Sequence, residues 1–265
     1  MCNETSTTLL DEQAVLLANA QVGPRLFVMK LESPRIAQRL LPGQFTHVHI
    51  PGMESHILRR PFSVYETYPE SGQLDILYQV VGFGTQHLST LKPGAVLHQI
   101  GPIGRSWDAP TADTRMLAVA GGAGAPAIFM QVKAVLEVGG TVDVVLGAQN
   151  KSSLVTLSRF QKLLGFEPIC STDDGSFGHK GFATFPATEL MAVNDYNAVI
   201  TCGPEPLMRA VAESAAASGI SCQVSLERRM ACGVGACLSC VVNTVDGKRR
   251  ACVDGPIFDA EKVVW

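Results

Sequence analysis

The sequence predicts a chain that joins β to α/β architecture. An N-terminal antiparallel β-barrel is followed by a parallel α/β domain and a small C-terminal cysteine module. Three observations predict this. Short strand-like segments with regular turn punctuation fill the first hundred residues. Beyond Pro110, apolar strands alternate with helical segments. Four of the eight cysteines fall together near the C-terminus, at Cys232, Cys237, Cys240 and Cys252. The expected boundaries are 1–110, 111–222 and 223–265.

In the first region, Arg25 to Leu31, Phe45 to Ile50, Gln73 to Val80 and Ala95 to Ile100 read as strands. Pro42-Gly43, Pro51-Gly52, Ser71-Gly72 and Pro93-Gly94 punctuate them, which suits a barrel or sandwich. In the second, Met116 to Ala120 is an apolar run like a strand buried on both faces. A glycine-rich turn and a helix from Pro126 to Leu136 follow, stopped by Gly139-Gly140. The strands Val142 to Leu146 and Ala198 to Thr201 alternate with the helices Ser153 to Leu164 and Pro206 to Ser218. Gly165 and Gly219 close the two helices, and Ile220 to Leu226 is one more strand. No internal repeat or low-complexity tract is present.

Composition narrows the function. A net charge of −3 offers no basic surface for nucleic acid or an anionic membrane. No apolar run approaches the roughly 20 residues that span a bilayer. Ala14 to Ala20 is too short and follows Asp11 and Glu12, so it does not read as a signal peptide, and a cytoplasmic location is expected. Cys2, Cys170, Cys202 and Cys222 lie scattered and read as small buried hydrophobes, Cys202 with a second possibility considered below.

The clustered cysteines carry chemistry. Their spacing is C-x4-C-x2-C-x11-C, and C-x4-C-x2-C with a distant fourth cysteine is the plant-type [2Fe–2S] spacing. Gly233 and Gly235 permit the tight turns that bring backbone N–H groups to sulfur. Asp246-Gly247 reads as a two-residue hairpin turn that returns Cys252 to a place nearly opposite Cys240. Zinc also accepts four thiolates, but structural zinc usually takes paired knuckles, and only one C-x2-C occurs here.

Two motifs in the barrel region point to a flavin nucleotide. Arg60-Pro61-Phe62-Ser63 offers a cation for a pyrophosphate, an aromatic face and a hydroxyl for a ring nitrogen. By itself it also reads as a surface Arg before a strand-start Pro-Phe. Gly82-Phe83-Gly84-Thr85 precedes a short helix, Gln86 to Leu91, with Thr85 as its cap, and forms an anion site or a plain turn. In the second region, Gly121-Gly122-Ala123-Gly124-Ala125-Pro126 lies between strand and helix. It lets phosphates approach the backbone, with Pro126 in the first helical turn.

Pro42-Gly43-Gln44-Phe45, Arg60-Pro61-Phe62-Ser63, Leu91-Lys92-Pro93-Gly94 and Gly101-Pro102-Ile103-Gly104 occur in the order seen in the ferredoxin–NADP reductase superfamily, which the chain resembles. The resemblance implies an FAD-binding barrel and a nucleotide domain. It puts Arg60 on the FAD pyrophosphate, Phe62 in place of the usual Tyr against the isoalloxazine, and Ser63 near flavin N5. Leu77, Tyr78, Gln79, Gly84 and Thr85 match further FAD-contacting positions. For the nicotinamide nucleotide it implies Gly121, Gly122, Gly124, Pro126, Cys202 and Gly203, with Cys202 near the nicotinamide or simply buried. Gly147 to Lys151 lacks the arginine common in NADP-specific relatives, which favours NAD.

Glu227 to Cys237 is similar to the cluster segment of the electron-transfer subunits of NAD-linked dihydroorotate dehydrogenases. That family implies a separate FMN-containing catalytic subunit, two subunits of each type per assembly, and a role in pyrimidine (UMP) synthesis. It implies no conventional catalytic residue in this chain, Ser63 and Cys202 being the candidates beside the reacting rings. Small flavin subunits of NAD(P)H:ferredoxin oxidoreductases, sulfide dehydrogenases and hydrogenases share the plan; in the first two an aspartate tends to replace the cysteine found here at 232. An iron–sulfur sensor or scaffold without turnover is the reading from another class.

Overall fold

The computed structural model of the chain describes residues 9–53 and 55–265. Cys2 lies outside them. Buried and exposed positions alternate along β1 (Leu10–Gly23), as they must in a strand with one face on a core. β1 is followed by β2 (Leu26–Glu32), α1 (Pro34–Ala37), β3 (Phe45–His49), β4 (Arg60–Ser63), β5 (Glu66–Tyr68), β6 (Gln73–Gln79), α2 (Phe83–Thr90) and β7 (Val96–Ile103). The strands form one antiparallel half-barrel in the order β4-β3-β7-β1-β2-β6-β5. Three strands of this sheet, β1, β4 and β5, were unanticipated. β4 and β5 are only four and three residues long and pair at the sheet's two ends, too short for periodicity to show.

The second sheet is built from β8 (Arg115–Gly121), α3 (Ala125–Glu137), β9 (Thr141–Ala148), α4 (Leu157–Leu164), β10 (Ile169–Thr172), β11 (His179–Lys180), α5 (Thr184–Val193), β12 (Ala198–Cys202), α6 (Glu205–Ala217) and β13 (Cys222–Ser225). These strands are all parallel. α4 starts at Leu157, later than expected, because Asn150 Oδ1 accepts hydrogen bonds from the Ser153 N–H and from the Ser152 and Ser153 hydroxyls. Such side-chain bonds hold 151–153 in a separate 3-10 turn. α5 went unanticipated because Pro186 reads as a breaker, yet it sits in the first turn, where no N–H is missed.

The C-terminal segment adds β14 (Val241–Thr244), β15 (Gly247–Arg250) and β16 (Ile257–Asp259). β14 and β15 form a hairpin one residue earlier than anticipated. Val245 and Asp246 make the turn, and Gly247, at φ +100°, pairs with Thr244. The end of the chain selects this register, since Val245 N donates to Lys262 O and Val264 N to Asn243 O. β16 then pairs antiparallel with β13, giving the sheet order β11-β10-β9-β8-β12-β13-β16. The second sheet thus draws on residues either side of the 222/223 division.

Barrel and α/β domain are joined by a charged and aromatic seam. Asp75 on β6 is fully buried, and it meets Lys30 Nζ at 2.7 Å and the Arg159 guanidinium from α4. Glu66 on β5 pairs with Lys133 of α3 at 3.1 Å. Tyr65, Phe129 and Phe160 stack edge to face across the same boundary, at 4.9 and 5.1 Å. A buried carboxylate without a counter-charge is costly, so Asp75 ties α4 to the barrel. Arg159→Ala is expected to lower the free energy of unfolding by about 2 to 4 kcal/mol in a urea titration. Arg209→Ala, which breaks the exposed Arg209–Glu213 pair, should change it by less than about 0.5 kcal/mol. Equal small effects from both would remove the seam's role.

Candidate functional site

A cavity of about 640 Å³ opens beside β4, β6 and the start of α2. Arg60, Pro61, Phe62 and Ser63 of β4 line one side, and Leu77, Tyr78 and Gln79 of β6 line another. Phe62 packs 5.8 Å from Tyr78, which is itself stacked on Phe27. The Tyr78 hydroxyl turns away to donate to Asn19 Oδ1, and burial pushes its pKa up to about 12. Tyr78 therefore contributes ring surface to the wall.

The helix beyond differs from expectation at its start. It begins at Phe83 with Gly82 as the capping residue. The Thr85 hydroxyl instead accepts from Val81 N and Gly82 N and lies within hydrogen-bond distance of the Gly82 carbonyl. The first-turn N–H groups of α2 consequently face the cavity edge unpaired by the helix. Arg60 is directed to the same point, since a Cβ at Gly84 would lie 2.6 Å from its Nε. A guanidinium at the positive end of a helix is unfavourable by itself and becomes favourable when an anion lies against both. This pairing fits a pyrophosphate.

A second cavity, of about 1010 Å³, lies at the C-terminal ends of β8, β9 and β12. The order of strand addition reverses there, since β9 and β10 extend to one side of β8 and β12 and β13 to the other. Parallel sheets bind ligands at such a switch point. Gly121, Gly122, Gly124 and Gly203 line it. Gly124 has no room for a side chain, because a Cβ would lie 2.6 Å from Cys202 O. Gly122, at φ +53°, has open space instead, which leaves the turn clear for a ligand. Pro126 is buried in the first turn of α3, behind the lining. Cys202 is fully buried in the core that includes Ile200 and Ile128. Burial, with the charge of Glu227 adding to it, raises its thiol pKa well above the ordinary range. The thiol is held protonated behind the cavity wall.

The two cavities touch. Gln79, Ala123 and Glu227 line both. Glu227, just beyond β13, is exposed as a residue, while local desolvation where it meets the two cavities raises its carboxyl pKa. No sequence motif marked it as more than part of a cysteine segment. Only the return of β13 beside β12 puts it between the cavities.

The chain continues from Glu227 into the cysteine loop. Arg228, Arg229 and Met230 wall the first cavity, as does Ala251, the neighbour of Cys252. Cys240 and Cys252 are buried with their Sγ atoms 3.4 Å apart, far beyond the roughly 2.05 Å of a disulfide. Cys232 is half-buried and Cys237 exposed. The Cys232 thiol is lowered to about 6: burial opposes the shift, but the backbone groups of Val234, Cys237 and Ala236 outweigh it by favouring the thiolate. Among the described residues no three metal-ligating side chains converge on one ion. Four cysteines at C-x4-C-x2-C-x11-C spacing supply two thiolates to each iron of a two-iron cluster. The donor set fits the cluster.

The loop leans on the barrel. A Cβ at Gly233, at φ +72°, would lie 2.6 Å from Nδ1 of His47, a fully buried residue of β3. Neither ring nitrogen of His47 has a well-formed hydrogen bond, although backbone groups of Arg59 and Cys232 lie close enough to favour protonation. Burial prevails and lowers its pKa to about 4. Only glycine fits at 233, so the loop seats against β3.

Known proteins agree with this arrangement. Residues 227–264 match the family described as the iron–sulfur cluster binding domain of dihydroorotate dehydrogenase B. Residues 14–107 match the oxidoreductase FAD-binding domain. The dihydroorotate dehydrogenase B (NAD(+)) electron transfer subunit of Desulforamulus reducens is 36% identical over 95% of this chain and 97% of its own. That of Fusobacterium nucleatum is 33% identical over 95% and 98%. A solved structure of an NADH-dependent reduced ferredoxin-NADP oxidoreductase aligns with a TM-score of 0.87 at 29% identity, covering 95% of this chain and 90% of that one. The cytochrome P450 reductase GcoB of Amycolatopsis, at a TM-score of 0.67, 22% identity and coverage of 79% and 66%, shares the fold. With near-complete coverage by relatives above 30% identity, the chain belongs to the family of dihydroorotate dehydrogenase B electron-transfer subunits.

Proposed function

We propose that the chain carries electrons from the FMN of a separate catalytic subunit, which oxidises dihydroorotate to orotate for pyrimidine synthesis, to NAD⁺. The route runs through a [2Fe–2S] cluster and FAD held by this chain, in an assembly of two subunits of each type. A cytoplasmic location goes with this reading. The observation that carries it is the stretch Leu226–Met230, which walls the first cavity, reaches the second through Glu227 and enters the cysteine loop. When bound, FAD exchanges hydride for single-electron steps and the cluster carries single electrons.

The chain's own residues have distinct tasks in this reading. Arg60 and the first turn of α2 hold the FAD pyrophosphate, with Gly84 admitting the guanidinium. Phe62 and Tyr78 supply ring surface, and Ser63 a hydroxyl at the cavity wall. The Gly121–Gly124 turn and Gly203 present backbone to the nicotinamide nucleotide. Cys232, Cys237, Cys240 and Cys252 would hold the cluster, with packing bringing Cys240 and Cys252 Sγ to 3.4 Å. Exposed Cys237 lies between half-exposed Val234 and exposed Leu238, an apolar rim suited to the partner subunit.

A second reading, a small flavin subunit of a reduced ferredoxin:NADP oxidoreductase, draws support from the likeness to that solved structure. Cys232 weighs against it, since such subunits tend to carry aspartate there.

Co-purification with the native catalytic subunit, followed by a dihydroorotate-dependent NAD⁺ reduction assay, decides between the two. Activity with ferredoxin and NADP but none with dihydroorotate would favour the second. Protein that holds a cluster but no FAD would point to a sensor. Cys237→Ser should lose the visible cluster spectrum while keeping FAD, and an unchanged spectrum would contradict the ligand set. Glu227→Gln removes a carboxylate beside the nicotinamide, whose charge falls from positive to neutral on reduction. NAD⁺ binding should weaken about tenfold relative to NADH. Because local desolvation raises the pKa of this otherwise exposed carboxyl, its charge is completed as pH rises through that value, so the wild-type preference for NAD⁺ should grow with pH. A pH-independent ratio would remove Glu227 from this role.

A further inference from the structure

The connection between β1 and β2 carries a cation into the second cavity. Arg25 follows Gly23 and Pro24 in this turn and adopts φ +60°, the left-handed region that side chains rarely enter. A non-glycine residue stays there only when its surroundings dictate its conformation. They do so here. A Cβ at Gly23 would lie 2.5 Å from Val155 Cγ1 and 3.0 Å from Ser152 O, so the turn is seated on the loop after β9. On the barrel side, Arg25 O accepts from Val80 N at 2.8 Å.

Held in this way, the barrel's turn reaches across the domain boundary, and Arg25 lines the cavity with the Gly121–Gly124 turn. It is the one cation among the described residues that line it; the charged lining residues otherwise are Asp173 and Glu227. Its guanidinium makes no hydrogen bond or ion pair with the described residues. A dinucleotide brings at least two negative charges to this space. The first turn of α3 offsets part of them, and a guanidinium is the side chain best matched to phosphate oxygens.

We propose that Arg25 binds a phosphate group of the nicotinamide nucleotide, supplied from the flavin-side barrel to a site otherwise built by the α/β domain. This rests on reading the second cavity as the nucleotide site. Two phosphates have the required chemistry: the pyrophosphate that NAD and NADP share, and the 2′-phosphate that only NADP has.

The test uses Arg25→Gly in the assembled holoenzyme. Glycine accepts a positive φ, so this variant removes the guanidinium without straining the turn. Calorimetric titrations with NAD⁺, NADP⁺ and ADP-ribose are run at several salt concentrations, with flavin and cluster absorbance recorded as controls. Loss of about tenfold or more in affinity for all three, with a shallower salt dependence and partial recovery in Arg25→Lys, assigns Arg25 to the pyrophosphate. Loss confined to NADP⁺ assigns it to the 2′-phosphate and also upholds the proposal. Wild-type affinity in Arg25→Gly for every nucleotide overturns it. A wild-type enzyme that binds none of the three overturns the reading of the cavity itself, and Arg25's role with it.

Discussion

The buried carboxylate of Asp75 is the constraint on which the molecule's working geometry depends. A strand residue with no solvent exposure must find counter-charges, and the described residues of the barrel supply Lys30 alone. The second comes from Arg159 on α4, with Glu66 and Lys133 extending the network. Aromatic contacts among Tyr65, Phe129 and Phe160 fill the space beside it. The barrel is therefore docked on the α/β domain in one orientation, which brings the two cavities into contact along Gln79, Ala123 and Glu227. On the proposed reading of the cavities as flavin and nicotinamide sites, such contact is what hydride transfer between the two rings needs.

The same economy governs the cysteine segment. It leaves the second sheet after β13 and returns as β16, so both ends are anchored in one framework. Met208 and Ala212 of α6, Phe45 and Ile103 of the barrel, and Cys240 and Cys252 share one apolar cluster. The inner cysteines thus sit in a low-dielectric core beside the first cavity, while Cys237 is left at the surface.

Charge is handled by backbone as much as by side chains. Helix N-termini at α2 and α3 face the two cavities, and Arg25 is the one cation among the described residues lining the second. Arg60 beside α2 and Arg25 beside the Gly121–Gly124 turn both come from the barrel. The α/β domain contributes mainly glycine backbone and the acids Asp173 and Glu227.

Local chemistry alone determined much of this protein. The cysteine spacing, the strand–glycine–helix junction at Gly121 to Pro126, and the αL helix stops at Gly165 and Gly219 act through neighbours a few residues away, and the chain spells them out. Short edge strands such as β4 and β5, the hairpin register around Gly247, and the role of Thr85 were not legible. The β4 edge and the hairpin register are settled by more distant partners, β3 and the Lys262 carbonyl. β5 instead pairs with nearby β6, and Thr85 takes nitrogens three and four residues back, contacts too local and irregular for periodicity to show. Cys202 shows the limit most plainly, because one motif served a site and a core equally until the packing of β12 buried its thiol. Glu227 and Arg25 reach their cavities only because β13 lies beside β12 and the β1–β2 turn lies against the loop after β9. Sequence specifies which groups are available; packing between distant segments decides which of them face one another.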